Sequence, residues 1–219
     1  MRLAATVMLV RDARPGRLEV FMLRRSARSS FAPDAFVFPG GTVDPGDYAG
    51  DLGWPPERVA AEFRAVVPEQ LPASEPPIGA EDARALVRAA VREVFEESNL
   101  RLDADALALY SHWITPPTEP RRYNTHFFIA RAPSEQHGIA DAVETHDERW
   151  IEPATALREH EAGRMHLVYP TIKHLERLAL HGSVADALAF ARSKPVVTIM
   201  PDRAPSEGFV MPNELEGAW

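Results

Sequence analysis

The chain has 219 residues, no cysteine and a formal net charge of −8, from 24 basic and 32 acidic side chains. This length suits one domain with an insertion and is ample for a hydrophobic core. The lack of cysteine excludes a disulfide framework, a thiolate zinc site and a cysteine nucleophile. The acidic balance argues against nonspecific binding of nucleic acid, which needs a basic surface. The longest apolar stretch near the start, residues 3–10, is far shorter than a membrane span of roughly 20 residues. We therefore expect a soluble, cytoplasmic protein with neither a membrane nor a nucleic acid as partner.

The first 40 residues have the pattern of β-strands. Short apolar runs at residues 3–10 and 18–23 flank the turn-like sequence at residues 14–17, which predicts a hairpin. Residues 36–38 predict a further strand, which ends in Pro39-Gly40-Gly41, where glycine permits unusual backbone angles.

Residues 42–79 differ in composition from the rest of the chain. They hold seven of the 20 prolines and one short helical candidate, residues 57–67. We interpret this stretch as an inserted surface segment and not as part of the core.

Residues 80–98 are predicted to form a helix because they contain no glycine or proline and many good helix formers. Val87, Val91, Val94 and Phe95 recur at helical spacing, so we expect them to face the core. Asn99 is a suitable C-terminal cap. Beyond it, strands are predicted at residues 106–114, 125–130 and 148–151, helices at 153–160, 170–181 and 183–192, and a loop-like tail at 201–219.

One face of the predicted helix carries three carboxylates. Glu93, Glu96 and Glu97 stand at i, i+3 and i+4, within about 6 Å of each other. A divalent cation such as Mg²⁺ or Mn²⁺ would relieve their repulsion, since it prefers hard oxygen ligands. Arg92 could orient one of the carboxylates. The alternative is a solvated acidic face, but the apolar opposite face and the preceding Pro39-Gly40-Gly41 favour a metal site.

These residues resemble the signature of the Nudix hydrolases, G-x5-E-x7-R-E-U-x-E-E-x-G-U, where U is a bulky aliphatic residue. Phe38-Pro39-Gly40-Gly41 matches its beginning, Arg92-Glu93-Val94-Phe95-Glu96-Glu97 matches its core and Leu100 matches its last position. The resemblance implies an α+β fold, a Nudix-type α/β/α sandwich with a mixed β-sheet. It also implies a single domain over residues 1–219, with an insertion at about 42–79 and C-terminal helices at about 153–192.

The sequence departs from this signature in three places. Gly41 precedes Arg92 by 51 positions, so 37 extra residues lie inside the signature. Counted back from Arg92, the first signature glutamate falls on Arg84. The signature glycine is Asn99, a residue that also tolerates left-handed backbone angles.

The long insertion resembles one subgroup of the family, the peroxisomal-type coenzyme A diphosphatases. Residues 24–31 before Phe36-Val37-Phe38-Pro39-Gly40-Gly41, and Trp113-Ile114-Thr115-Pro116-Pro117 further on, look like the same subgroup. The resemblance implies cleavage of the diphosphate in coenzyme A or acyl-coenzyme A, to adenosine 3′,5′-bisphosphate and phosphopantetheine. The alternatives are a pyrophosphatase for ADP-ribose or dinucleoside polyphosphates, and a catalytically silent nucleotide-binding regulatory module.

The same resemblance implies roles for individual residues. Glu93, Glu96 and Glu97, with the Gly40 carbonyl, would hold Mg²⁺ or Mn²⁺, and a metal-activated water would attack the phosphoanhydride of a small nucleotide substrate. Arg92 would assist them. Glu144 is the candidate general base, with an exposed loop acid as its alternative. The candidate substrate-binding residues are Gly41, Arg24, Arg25, Arg28, Arg121 and Arg122.

Several of these assignments stay open. The arginines fit solvated strand ends as well as they fit a phosphate site. Trp113, Tyr123 and Phe127 could stack on adenine, although aromatic residues at alternating strand positions favour the core. The insertion could cover the site or mediate a homodimer.

Overall fold

The structure is a computed structural model. It describes residues 1–28, 32–50, 53–64, 78–134, 136, 138–140, 145–204, 208–212, 215–216 and 219. The strands in this part of the chain are β1 (Arg2–Arg14), β2 (Arg17–Arg25), β3 (Phe36–Val37), β4 (Gly40–Thr42), β5 (Ala108–Ile114), β6 (Tyr123–Arg131), β7 (Thr145–Ile151), β8 (Thr198–Ile199), β9 (Asp202–Ala204) and β10 (Gly208–Val210). The α-helices are α1 (Pro56–Arg64), α2 (Ala80–Ser98), α3 (Pro153–Glu161), α4 (Tyr169–Leu178) and α5 (Val184–Ser193).

An eight-stranded mixed sheet forms the centre of the fold. Its order is β3-β2-β1-β6-β5-β8, with β4 paired to β1 and β7 paired to β2. β1 runs parallel to β6 and antiparallel to β2, and β5 runs parallel to β8. The second half of β1 pairs with β2, whereas residues 4–6 pair with β4. Residues 36–42 therefore connect the end of β2 to the beginning of β1.

Helices cover both faces of this sheet. Ala5, Val7 and Leu9 of β1 lie in a core shared with α2, and Met8 and Val10 lie in a core shared with α3, α4 and α5. The alternation follows from the pleat, which points successive side chains to opposite faces. The expected α+β sandwich is thus confirmed. None of the described helices is long and apolar enough to cross a membrane.

Helix α2 has the predicted bounds. Asn99 caps its end with a φ of 56°, and the Asn99 N–H donates to the Phe95 carbonyl. Val87 and Val94 are buried as predicted, and Val91 is half-buried. The prediction for Phe95 is wrong, since 38% of its surface is exposed. It lies about 100° around the helix axis from Val94, away from the sheet.

The inserted segment is not confined to the surface. Trp54 and Val59 are 2% and 3% exposed and lie in the core with α2. The Trp54 Nε1–H donates to the Ala104 carbonyl over 2.8 Å. Because this bond satisfies its polar atom, the indole can be buried. The interpretation of residues 42–79 as purely surface is therefore wrong at α1 and just before it; the predicted helical residues 65–67 lie outside the described part.

The tail also differs from the prediction. β9 and β10 form an antiparallel pair within the stretch expected to be a loop. Met211, Leu215 and Trp219 are buried in the core, where Trp219 contacts His174 of α4. These apolar residues stand four apart, but Pro212 and Gly217 lie between them and argue against a helix, so the sequence offered no consistent local signal for their burial.

Candidate active site

Two of the three glutamates of α2, Glu93 and Glu97, lie against the short strand β4. Glu97 is 4% exposed, and its Oε2 accepts a 2.9 Å hydrogen bond from the Gly40 N–H. A Cβ atom on Gly41 would overlap the Glu93 carboxylate. Glycine at position 41 therefore allows the helix and the strand to approach closely enough to bring both carboxylates to the Gly40-Gly41 backbone.

The register of β4 leaves the backbone of Gly40 outside the sheet ladder. Gly40 lies opposite Thr6, and the neighbouring bond runs from the Val7 N–H to the Pro39 carbonyl. In an antiparallel pair, this pattern makes Thr6 and Gly40 a non-hydrogen-bonded pair. Both polar groups of Gly40 thus point away from β1, and its N–H meets Glu97.

Arg92 binds three carboxylates of the site, those of Asp47, Glu93 and Glu96. Its Nη1 donates to Glu93 Oε1 over 2.8 Å and to Glu96 Oε2 over 2.9 Å. Its Nε and Nη2 donate to the two carboxylate oxygens of Asp47 over 3.1 and 2.9 Å, and Nη2 also donates to the Thr42 carbonyl. The hydrogen bond to Asp47, helped by Glu93 and Glu96, raises the pKa of Arg92 above its ordinary value despite partial burial.

Asp47 is the site residue that sequence reasoning missed. It is 4% exposed, and its Oδ2 also accepts a hydrogen bond from the Asp44 N–H. Counted forward from Gly41, the first signature glutamate falls on position 47, which carries a carboxylate. The backward count from Arg92, which gave Arg84, crossed the insertion. The signature acid is therefore replaced by aspartate, and the extra residues follow it.

The candidate metal ligands are the carboxylates of Glu93, Glu96 and Glu97 and the carbonyl of Gly40. Their chemistry fits a hard divalent cation, since carboxylate and carbonyl oxygens are the ligands that Mg²⁺ and Mn²⁺ prefer. In the arrangement described, no three acidic or histidine side chains are grouped closely enough to hold a metal ion. Glu93 and Glu96 bind Arg92 instead, and Glu97 binds the Gly40 N–H. Glu96 is the most accessible of the three, with 54% of its side chain exposed.

The candidate substrate arginines lie at strand ends. Arg24 of β2 lies opposite Phe36 of β3, and Phe36 precedes Gly40 by four residues. Arg24 also forms an ion pair with Asp34 over 3.2 Å. Arg25 follows it at the end of β2, and Arg28 is exposed in the turn beyond.

The second arginine pair precedes β6. The Arg122 carbonyl accepts from the Arg2 N–H at the start of β1, and the Arg122 Nε donates to the Thr115 carbonyl. Arg121 is its exposed neighbour. Since residues 4–6 of β1 pair with β4, this pair lies at the sheet end that carries Gly40 and Gly41.

The remaining candidates have different outcomes. Trp113 and Phe127 are 3% and 7% exposed and belong to the core, so the core alternative is correct for them. Tyr123 is half-buried. Glu144, the candidate base, lies outside the described residues.

Comparison with solved structures defines the class of fold. A Nudix hydrolase from Alicyclobacillus acidocaldarius matches with a TM-score of 0.66 at 22% identity, over 86% of this chain and 96% of that one. The MutT protein from Methanosarcina mazei Go1 matches with a TM-score of 0.50 at 16% identity, over 81% and 91%. The chain thus has the Nudix hydrolase fold, as expected. No family model matches the sequence.

Curated relatives agree with this fold. The chain is 30% identical over 177 residues to nudix hydrolase 7 of Caenorhabditis elegans, covering 73% of this chain and 55% of that protein. It is 25% identical to acyl-coenzyme A diphosphatase NUDT19 of Xenopus laevis, over 73% and 59% of the two chains, and 25% identical to that of Gallus gallus, over 88% and 72%. The chain spans little more than half the length of the first two relatives. In sequence and in fold, the chain is therefore similar to Nudix hydrolases.

Proposed function

We propose that this protein is a metal-dependent hydrolase of the diphosphate in coenzyme A or acyl-coenzyme A, releasing adenosine 3′,5′-bisphosphate and phosphopantetheine. The observation that carries the proposal is the group of three carboxylates on α2, in which Glu97 is bonded to the Gly40 N–H, Glu93 lies against Gly41 and Glu96 is joined to Glu93 through Arg92. The likeness to two acyl-coenzyme A diphosphatases supports the choice of substrate. A cytoplasmic location and a small nucleotide as the partner belong to the same proposal.

The ligands proposed for Mg²⁺ or Mn²⁺ are Glu93, Glu96, Glu97 and the Gly40 carbonyl. The bound cation supplies an activated water and neutralises charge on the phosphates. To serve as ligands, Glu93 and Glu96 must exchange their bonds to Arg92. Asp47 keeps Arg92 paired during that exchange, because it holds the guanidinium through two further hydrogen bonds. A charged group left unpaired in a partly buried site would be costly.

The remaining roles concern the substrate. Arginines beside a diphosphate stabilise the charge that develops as the bridging bond breaks. In this proposal, Gly41 belongs to the substrate site beside Glu93, Glu144 is the general base, and the arginines that bind the phosphates are Arg24, Arg25, Arg28, Arg121 and Arg122.

The decisive experiment replaces Glu96 with glutamine. We expect Glu96→Gln to lower kcat for Mg²⁺-dependent release of adenosine 3′,5′-bisphosphate about 100-fold or more, because a metal ligand is lost. The fold should survive, since Glu96 is exposed. Glu161→Gln, at an exposed acid on α3, is the matched control and should keep the parent rate.

The outcomes separate the candidate functions. A parent-like rate for Glu96→Gln would contradict the metal assignment. Faster hydrolysis of ADP-ribose or a dinucleoside polyphosphate than of coenzyme A would change the substrate class. No hydrolysis of any of these compounds, with either metal, would favour a catalytically silent nucleotide-binding module.

A further inference from the structure

A pocket of about 480 Å³ lies beside the candidate active site, between α2 and the first part of the insertion. The insertion contributes Tyr48, Gly53 and Trp54 to its walls, and α2 contributes Arg84 and Arg88. This volume is in the range of small-molecule sites, roughly 300–1,000 Å³. The pocket exists because Trp54 anchors the insertion in the core.

Arg84 has no polar partner in the described part of the chain. It is half-buried, yet it makes no hydrogen bond and no ion pair with any described residue. The first acidic position of the signature is filled by Asp47, so Arg84 has no role in the signature. A guanidinium group carries five N–H donors in a fork that matches phosphate oxygens. Arg84 therefore offers a fixed helix position and unused donors to a ligand.

A second arginine, Arg88, lies beside Arg84 in the pocket. The Arg88 guanidinium is held in place by the Asp47 carbonyl over 3.0 Å and the Gly50 carbonyl over 2.6 Å. Glu81 is the single acid among the described lining residues, against two arginines. Asp82 lies at the rim on Tyr48, so two carboxylates balance the two guanidinium groups in charge, and it is the unused donors of Arg84 that favour a phosphate ligand.

The rim of the pocket presents an aromatic ring. Tyr48 is 47% exposed, and its hydroxyl donates to Asp82 Oδ1 over 2.8 Å, which holds the side chain in place. An exposed, immobilised ring beside arginines is the composition that stacks on a base while a phosphate is bound.

This pocket is distinct from the site formed by Glu93, Glu96 and Glu97. Arg84 precedes Glu93 by nine residues on α2, which corresponds to about 13 Å along the helix axis. A group bound by Arg84 is therefore not the phosphoanhydride that the glutamates face.

We propose that this pocket is a second anion site, which binds a phosphorylated nucleoside through Arg84 and Arg88 with its base against Tyr48. The proposed function enters only in the choice of probe, adenosine 3′,5′-bisphosphate, the product of that reaction. The ligand is either a group of the substrate itself or a free nucleotide.

Calorimetric titration of the full chain in the presence of a metal chelator tests the site without any hydrolysis. We expect adenosine 3′,5′-bisphosphate to bind the parent protein more tightly than inorganic phosphate does. Arg84→Gln should weaken binding of the bisphosphate about tenfold or more, the value of a charge-assisted hydrogen bond. Arg84→Lys should lose less, because it keeps the charge. Arg192→Gln, at an exposed arginine on α5, should bind like the parent.

A repeat with saturating coenzyme A identifies the source of the ligand. Competition would show that a group of the substrate occupies the pocket, and undiminished binding would show that a free nucleotide does. Binding unchanged by Arg84→Gln, an equal loss in Arg192→Gln, or no binding to the parent protein would each overturn the proposal. Thermal unfolding of each variant checks the fold. None of these results depends on turnover, so failure of the proposed hydrolase activity would be seen separately.

Discussion

The pairing of Arg92 with Asp47 connects the first turn of the insertion to the helix that carries the glutamates. Asp47 is nearly buried and accepts two hydrogen bonds from the guanidinium group, while Glu93 and Glu96 share the remaining donor. A buried carboxylate needs such partners, because its desolvation is costly. Asp47 therefore competes with the two glutamates for Arg92.

Replacement of Asp47 with asparagine tests this competition. Asp47→Asn removes the charge and keeps the shape, so Arg92 should hold Glu93 and Glu96 more tightly. We expect Mn²⁺ affinity, measured by calorimetry, to fall about tenfold, and the free energy of unfolding to fall by about 2 kcal/mol. Asp202→Asn, at an exposed position of β9, serves as control. Unchanged Mn²⁺ affinity in Asp47→Asn would disprove the competition.

At the scale of elements, the insertion is part of the core through Trp54. The indole packs edge to face on Phe128 of the central strand β6, at a centroid distance of 5.9 Å. Arg58 of α1 lies over the Trp54 ring, 4.2 Å from its centroid, and binds Asp105 over 2.8 Å. The insertion is thereby tied to both the sheet and the turn before β5, which shapes the Arg84 pocket.

Truncation of Trp54 should show this anchoring. Trp54→Ala removes a buried indole and leaves a cavity, so we expect a loss of about 3–5 kcal/mol in the free energy of unfolding, measured with urea. Trp54→Phe should lose less, since it restores most of the apolar contact. Leu180→Ala, at a residue that is 72% exposed, should change little. A loss below about 1 kcal/mol in Trp54→Ala would mean that the insertion does not stabilise the core.

At the scale of the whole molecule, three histidines are buried between the central sheet and the helices that cover it. Two of them are on strands β5 and β6, and the third is on α4. His112 and His126 stack at 4.2 Å between ring centroids, on neighbouring strands. Both ring nitrogens of His126 are buried without a hydrogen-bond partner among the described residues. His174 of α4 is bonded to Ser111 and to the Pro170 carbonyl. Burial lowers the pKa of His112 to about 4 and that of His174 to about 3, and lowers that of His126 well below its usual value.

This burial predicts a loss of stability in mild acid. The unfolded chain binds protons at these histidines below a pH of about 6.5, while the folded chain keeps them neutral. Stability is therefore complete above that pH and falls as the pH drops towards about 4, where His112 alone contributes a loss of about 3 kcal/mol. Urea unfolding across this range measures the slope. His126→Leu should flatten it, whereas His166→Gln, at an exposed histidine, should not; a flat profile for the parent protein would contradict the prediction.

The sequence by itself determined α2, its Asn99 cap, the longer strands of the sheet and the family resemblance. These features depend on helix propensity, apolar period and the spacing of Glu93, Glu96 and Glu97, all of which are local in the chain. Only the tertiary structure decided which acid meets Arg92, because Asp47 lies 45 residues away. It also decided that Trp54 is buried and that the tail packs on the core. Contacts of this kind depend on how distant elements dock, and no local period of the sequence records that docking.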